Sequence, residues 1–135
     1  MLPANHFLKK CEKLSRLGFT PTFELGMTVA RGFADLGYEV FSMIGPNKMV
    51  SLFTGQVAEL LESHRHFFFA VLDIDTMLSE ISRLGYDLET LSYVDQRLWI
   101  IKATNVPTSR SIELDNIELG DLLVETLICI KGSNV

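Results

Sequence analysis

The segment HFFFAVLDIDTMLSEISRLGYDL, His66–Leu88, constrains the fold of this chain more than any other stretch. It opens with His66–Leu72, a run dense in aromatic and aliphatic residues that favours a strand. Asp73 or Asp75 can cap a following helix, whose apolar residues recur at helical spacing up to Gly85. The segment therefore predicts a strand, an acidic turn and an amphipathic helix in direct succession.

Composition and charge exclude several classes of protein. With 135 residues, 47% of them hydrophobic and 21% charged, the chain is predicted to be one soluble globular domain over residues 1–135. A formal net charge of −5 argues against nucleic acid as the main partner, because phosphate binding needs a clustered basic surface. No apolar run approaches the length of a membrane span, so we expect no membrane partner.

The cysteines and the N-terminal residues indicate the compartment. Cys11 and Cys129 lie in apolar patterns without CxxC spacing, which is typical of buried thiols and not of a disulfide or zinc framework. The opening MLPANHFLKKCEKL is interrupted by lysines and lacks the apolar core of a signal peptide. Both features predict a cytoplasmic protein.

Two helices are predicted in the first half of the chain. Apolar residues at helical spacing predict a helix over Asn5–Leu17, and Gly18 follows as its stop. A shorter helix is predicted to end at Gly37. Its apolar residues are Met27, Ala30, Phe33 and Ala34.

A β-hairpin and a connector follow these helices. Tyr38–Ile44 and Lys48–Phe53 flank the turn residues Gly45-Pro46-Asn47 and predict two antiparallel strands. Gln56–Ser63 carries its apolar residues on one face and is interpreted as a short helical connector.

The second half is predicted to be rich in strands. Tyr86–Val94 and Arg97–Ala103 are predicted to pair through a tight turn at Asp95-Gln96. Ile112–Leu114 predicts another short strand. Leu122–Ile130 is apolar, and its β-branched residues favour an extra terminal strand over residues 122–130.

A local pattern recurs between the two halves. Ser15-Arg16-Leu17-Gly18-Phe19 resembles Ser82-Arg83-Leu84-Gly85-Tyr86. A helix that ends in glycine before an aromatic strand is common, and this alone accounts for the similarity. The alternative is that each half holds one copy of a helix-then-strands module.

Residues 66–114 are therefore predicted to form a βαβββ unit. Its order and motifs resemble the second module of the vicinal oxygen chelate superfamily, which includes glyoxalases, extradiol dioxygenases and bleomycin-resistance proteins. Residues 5–63 resemble a degenerate first module without an opening strand. The residues that carry the resemblance are His66, Phe67–Val71, Asp73-Ile74-Asp75, Leu84-Gly85-Tyr86 and Ile112-Glu113-Leu114.

The resemblance implies an α+β fold with a cupped antiparallel or mixed sheet built from such modules, and with helices on one face. It also implies that His66 and Glu113 are two ligands of a divalent metal ion. An imidazole nitrogen and a carboxylate oxygen suit zinc, iron, manganese or nickel. The alternative is that His66 is a strand-start residue bonded to a neighbour, and that Glu113 is an exposed glutamate on an edge strand.

Three features depart from the family pattern. The turn at 102–108 lacks the Asp-Pro that often precedes the final glutamate, and Phe68 stands where a small residue is frequent. The first half has no opening strand to supply a third ligand. The segment Leu122–Ile130 could fill that position in a permuted or exchanged sheet, or could instead form a terminal helix that covers an edge.

The resemblance implies a small-molecule-binding protein. It would be either a metal-dependent lyase, isomerase or dioxygenase, or a relative that binds its ligand without chemistry. The alternative is a ferredoxin-like regulatory or protein-interaction domain that uses an exposed strand edge, with His66 and Glu113 incidental. A homodimer is expected under both interpretations.

Overall fold

The computed structural model describes residues 2–32 and 37–132, and it has the predicted α+β fold with antiparallel strand pairing. The chain divides into two compact units, Met1–Leu72 and Asp73–Val135. The first unit contains α1 (Asn5–Arg16), β1 (Thr28–Gly32), β2 (Tyr38–Met43), β3 (Lys48–Ser51), β4 (Val57–Glu59), a 3-10 helix (Glu62–Phe67) and β5 (Phe68–Val71). The second contains α2 (Ile74–Arg83), β6 (Tyr86–Val94), β7 (Leu98–Asn105), β8 (Arg110–Asn116) and α3 (Leu119–Gly132).

The first unit is a five-stranded sheet in the order β4-β3-β2-β1-β5, with α1 packed against it. The helix buries one apolar face, formed by Leu8, Cys11 and Leu14. It covers the sheet face that carries Tyr38, whose hydroxyl donates to Glu12 of the helix at 2.9 Å. The prediction of this helix and of the β2–β3 hairpin is confirmed.

The predicted second helix is wrong, because Thr28–Gly32 is the strand β1. The strand pairs with β2 on one side and with β5 on the other, so it lies inside the sheet. These non-local backbone hydrogen bonds outweigh a helical spacing of apolar residues that extends over only about two turns. Phe33 and Ala34, which the prediction also used, lie outside the described residues.

The helical connector predicted over Gln56–Ser63 is also wrong. Val57–Glu59 forms β4 and pairs with β3, and the 3-10 helix begins afterwards at Glu62. The turn between β3 and β4 ends at Gly55, whose φ of 73° is readily adopted only by glycine. This tight turn folds the segment back along β3, so it forms a strand.

The strand predicted over His66–Leu72 is confirmed only from Phe68 onward. Its ladder with β1 ends at the pair Arg31–Phe68, so the preceding residues have no backbone partner there and continue the 3-10 helix. Because β5 pairs with β1, it belongs to the first sheet, while β6, β7 and β8 form a second sheet. The prediction that residues 66–114 build one βαβββ sheet is therefore wrong at its first strand.

The second unit is a three-stranded sheet, β6-β7-β8, packed against α2 and α3. The Asp73 carboxylate caps α2, as predicted, by accepting from the Thr76 backbone N–H at 2.7 Å. Asp95 and Gln96 adopt φ values of 53° and 56°, which form the tight turn predicted between β6 and β7.

The strand predicted over Leu122–Ile130 is wrong, because this segment lies in the helix α3. Its buried residues include Leu123, Leu127 and Ile130, which recur at helical spacing and outweigh the β-branched residues between them. The Thr126 hydroxyl donates to the Leu122 carbonyl at 2.8 Å, so even this β-branched residue is satisfied in the helix. A permuted or exchanged strand at 122–130 is thereby excluded.

Both units open in the same way, with a helix that ends at a Leu-Gly pair before antiparallel strands. Gly18 and Gly85 follow α1 and α2 and have φ values of 102° and 89°. Residues with a Cβ atom rarely adopt this backbone conformation. Cys11 is buried as predicted, whereas Cys129 is exposed. Among the described residues, no helix is long and apolar enough to cross a membrane.

Candidate functional site

His66 lies in the 3-10 helix that leads into β5, and not on the strand itself. Its ring stands beside the ring of Phe67, with the centroids 4.1 Å apart. The ring of His64 lies on the same aromatic side chain at 5.9 Å. The two imidazoles and Phe67 therefore form one aromatic surface, which we call the histidine wall.

Glu113 lies in the second unit, on the outer strand β8. The predicted alternation is confirmed, because Ile112 is buried while Ser111 and Glu113 are exposed. The residue opposite Glu113 on β7 is Lys102, whose ammonium also lies 3.6 Å from the Glu89 carboxylate. Glu113 therefore belongs to a solvent-exposed, polar face of the second sheet.

The divalent metal implied at His66 and Glu113 requires a donor set that can hold it. His66 belongs to the first compact unit and Glu113 to the second. His66 stands beside Phe67, whereas Glu113 lies opposite Lys102. Over residues 2–32 and 37–132, no three or more His, Cys, Asp or Glu side chains gather closely enough to hold a metal ion. Protein metal sites generally use about three or four such ligands, and the described residues do not supply a donor set of that size.

The metal site stays a prediction with a direct test. Protein purified without a histidine tag would contain stoichiometric zinc, iron, manganese or nickel if the site exists. His66→Ala and Glu113→Ala would then each remove it.

The histidine wall forms part of a large open cleft in the first unit, with a volume of about 720 Å³. This volume lies within the range of about 300–1,000 Å³ that is typical of small-molecule sites. Apolar surface comes from the run Phe67-Phe68-Phe69. The polar lining includes Glu12, Ser15, Arg16, Arg31, His64 and His66.

A second cleft of about 530 Å³ adjoins the large cleft along the end of α1 and the 3-10 helix. The two share Arg16, His66 and Phe68 in their linings. In the second cleft, the Arg65 guanidinium lies over the ring of Phe23 at 4.3 Å, a cation–π contact. His66 therefore lies between two clefts of the same unit.

A third, smaller cleft of about 220 Å³ lies on the other side of Arg31. Arg31, His64 and Phe68 line both this cleft and the large one. Its remaining walls come from β2, β3 and β4, including Glu39 and Met49. Arg31 is thus the charged residue that borders both spaces.

The position of Arg31 is fixed by three neighbours. Its Nε and Nη2 atoms both donate to one Glu39 carboxylate oxygen, at 3.1 and 2.8 Å. Its guanidinium carbon lies 5.5 Å from the ring centre of Phe41 and 5.4 Å from that of Phe68. An ion pair and two cation–π contacts therefore hold a planar cation at the border of the large cleft.

A second polar group lies at the α1 side of the large cleft. Glu12 accepts a hydrogen bond from the Tyr38 hydroxyl at 2.9 Å and faces the Arg16 guanidinium at 3.5 Å. Burial, followed by the hydrogen bond to Glu12, raises the pKa of Tyr38 to about 12. The Glu12 carboxylate is therefore already engaged by two partners within the protein.

Sequence reasoning identified one residue of these clefts, His66, and missed Arg31 and Phe67. Arg31 lies within the wrongly predicted helix, and Phe67 falls within the strand predicted over His66–Leu72. The signal available in the sequence is the unbroken run His64-Arg65-His66-Phe67, which joins cations and aromatic rings.

Comparisons of the chain with models of protein families, with curated protein sequences and with solved structures return no match. The vicinal oxygen chelate resemblance therefore rests on the motifs alone. A fold does not by itself imply a function, so the case for function rests on the side chains that line the first unit's clefts.

Proposed function

We propose that this chain is a small-molecule-binding protein whose ligand occupies the large cleft of the first unit. The observation that carries the proposal is the exposure of Phe67, which is 59% accessible at the histidine wall. An exposed aromatic ring with two imidazoles near it, in the same cleft as a guanidinium held by an ion pair, combines apolar contact area with a few oriented polar groups. That combination is characteristic of ligand sites.

Covering this surface supplies only part of the binding free energy of a fragment, since a dissociation constant of 1 mM already needs about 4 kcal/mol. Burying a whole phenylalanine side chain contributes about 1.5–3 kcal/mol, so covering the exposed part of Phe67 contributes on the order of 1 kcal/mol. Stacking geometry adds a comparable amount for an aromatic ligand. The polar groups of the cleft would supply orientation and specificity.

Binding is the function that this lining supports best. The contacts of His64 and His66 that the structure describes are with the ring of Phe67, and not with the nucleophile and orienting group of a catalytic triad. Among the alternatives implied by the family resemblance, a relative that binds without chemistry is therefore the one we propose.

The test is a fragment screen by nuclear magnetic resonance on the full, isotope-labelled chain. We expect fragments to shift the backbone signals of Arg31, His66 and Phe67 together. Phe67→Ala should weaken binding several-fold without changing the fold, because the ring is exposed. Phe53→Ala is a matched control, since Phe53 is 51% exposed in the same unit and lines none of the three clefts.

Two outcomes would overturn the proposal. One is a screen in which no fragment shifts these three residues. The other is a set of fragments whose affinities fall equally in Phe67→Ala and in Phe53→Ala.

A second candidate function, a protein-interaction domain that forms a homodimer, is favoured by the strand β4. This strand is an outer strand of the first sheet, all three of its residues are exposed, and Val57 is 63% accessible. An outer strand of this kind can pair with a second copy. Sedimentation velocity would show a dimer that Val57→Lys dissociates and Val57→Thr preserves.

A further inference from the structure

The large and second clefts carry more positive than negative charge, in a chain whose formal net charge is −5. Arg16 and Arg31 line the large cleft against one carboxylate, Glu12. Arg16 and Arg65 line the second cleft against one carboxylate, Glu62. Each lining thus has two guanidinium groups for one acid, although Glu39 in the third cleft offsets the charge of Arg31. The attraction for an anionic group on the ligand therefore comes from the remaining N–H donors of Arg31 and from Arg16 and Arg65.

The carboxylates that face these guanidinium groups are engaged, Glu12 in the lining of the large cleft and Glu39 in that of the third cleft, while the guanidinium groups retain donors. Glu12 accepts from Tyr38 and faces Arg16, and Glu39 accepts two bonds from Arg31. A guanidinium carries about five N–H donors, of which Arg31 uses two on Glu39. Its side chain is 41% exposed, so a ligand can reach the remaining donors.

The apolar part of the ligand would lie on aromatic rings. Phe67 and the two imidazoles present a surface on which a planar ring can stack. Arg31 already lies over Phe41 and Phe68, so its plane and its donors are oriented before any ligand arrives. Guanidinium donors fixed in this way match the two oxygens of a carboxylate.

We propose that the ligand is a small aromatic carboxylate, with its ring on the histidine wall and its carboxylate on Arg31. The inference rests on the proposed function and specifies it, since the large cleft is the site in both. It assigns Arg31 as the anchor of the charged group and Phe67 as the surface for the ring. Arg16, which is 75% exposed beside the same cleft, adds long-range attraction for the anion.

The experiment compares three probes that share one ring system and differ in charge. These are 2-naphthoate, the neutral 2-naphthamide and the cationic 2-naphthylmethylammonium. Titration of the full chain, followed by nuclear magnetic resonance and calorimetry, should show naphthoate binding at least about tenfold more tightly than the amide. The cation should bind most weakly.

Variants separate the anchor from the ring surface. Arg31→Gln should reduce naphthoate affinity about tenfold and leave naphthamide affinity unchanged, whereas Phe67→Ala should weaken both probes. Arg110→Gln is the matched control, because Arg110 is exposed on β8 and lines none of the three clefts. If Arg31→Gln fails to fold, Arg16→Gln should still produce a several-fold, salt-sensitive loss for naphthoate alone.

The outcomes distinguish the inference from the proposed function. Equal affinity for the three probes, or preference for the cation, overturns the aromatic carboxylate and leaves the cleft as a ligand site. The same conclusion follows if none of the three probes binds while other fragments shift the signals of Arg31, His66 and Phe67. If no compound of any charge shifts these residues, both the inference and the proposed function fail.

Discussion

The two compact units begin alike and end differently. Each opens with an amphipathic helix that stops at a left-handed glycine and continues into antiparallel strands. After these strands, the first unit returns through the 3-10 helix to add β5 beside β1. The second unit instead ends in α3, which packs on β7 and β8.

This difference decides where a ligand site can form. In the second unit, α2 and α3 pack on the apolar face of the sheet, whose central residues Ile101 and Ala103 are fully buried. In the first unit, the return segment contributes His64, His66 and Phe67 and leaves them facing open clefts. The candidate site therefore belongs to the connection that the units do not share.

Matched core substitutions test whether the units are equally dependent on their buried leucines. Leu14→Ala in α1 and Leu127→Ala in α3 each remove a side chain that is at most 1% exposed. Each should lower the free energy of unfolding by about 2–5 kcal/mol, measured by urea denaturation. Leu25→Ala is the control, since Leu25 is 75% exposed and should cost less than about 0.5 kcal/mol.

The two units would depend unequally on their buried leucines if Leu14→Ala and Leu127→Ala gave different losses of unfolding free energy or different numbers of transitions. A loss below about 1 kcal/mol for one of them would mean that its unit relaxes around the cavity. Two separate unfolding transitions would mean that the units unfold independently.

The hydrogen bond between Tyr38 and Glu12 should make the stability of the first unit fall at alkaline pH. The pKa of Tyr38 is raised to about 12, by burial first and by the hydrogen bond to Glu12 second. Because the folded pKa lies above the unfolded value of about 10, the stabilisation is complete below pH 10 and is lost as the pH rises towards 12.

The ionisation of Tyr38 can be followed by the ultraviolet absorbance of phenolate. The difference between wild-type protein and Tyr38→Phe should show a group that ionises near pH 12. Glu12→Gln should lower this pKa only in part, since burial remains. A Tyr38 that ionises at the ordinary value for tyrosine would contradict the bond between α1 and the sheet.

Local patterns predicted the elements that local interactions determine. The helices α1 and α2 follow from long amphipathic periods, and the turn at Asp95-Gln96 follows from two strongly strand-forming flanks. The strand β1 could not be predicted in this way, since its stability comes from pairing with β2 and β5 on both sides. Contacts distant in sequence override weak local preferences.

The same limit applies to the candidate site. The prediction that His66 is a metal ligand depends on its standing on a strand, whereas it lies in the 3-10 helix. Its actual surroundings depend on where the β1–β5 ladder ends, at Arg31–Phe68, and no pattern in the sequence marks that point. Arg31 joins the site through this pairing, although 35 positions separate it from His66 (66 − 31 = 35).

The two units also differ in how the first helix of each is capped at its N-terminus. α2 is capped by Asp73, which accepts from the Thr76 N–H, whereas Ala4 at the start of α1 offers no side-chain cap. Asp73→Ala should therefore destabilise the second unit by about 1 kcal/mol. Ala4→Ser should stabilise the first unit by up to a similar amount, because Ala4 already has the extended backbone of a capping residue.

Acid should abolish the destabilisation caused by Asp73→Ala and should leave the stabilisation by Ala4→Ser unchanged. Hydrogen bonds to Thr76 hold the pKa of Asp73 below its usual value, so its contribution is present above that value and is lost as the pH falls through the folded pKa. Urea denaturation should thus show the Asp73→Ala deficit shrinking below about pH 4. The Ala4→Ser gain should persist there, since a serine hydroxyl does not titrate, and a gain that disappears in acid would show that another group caps α1.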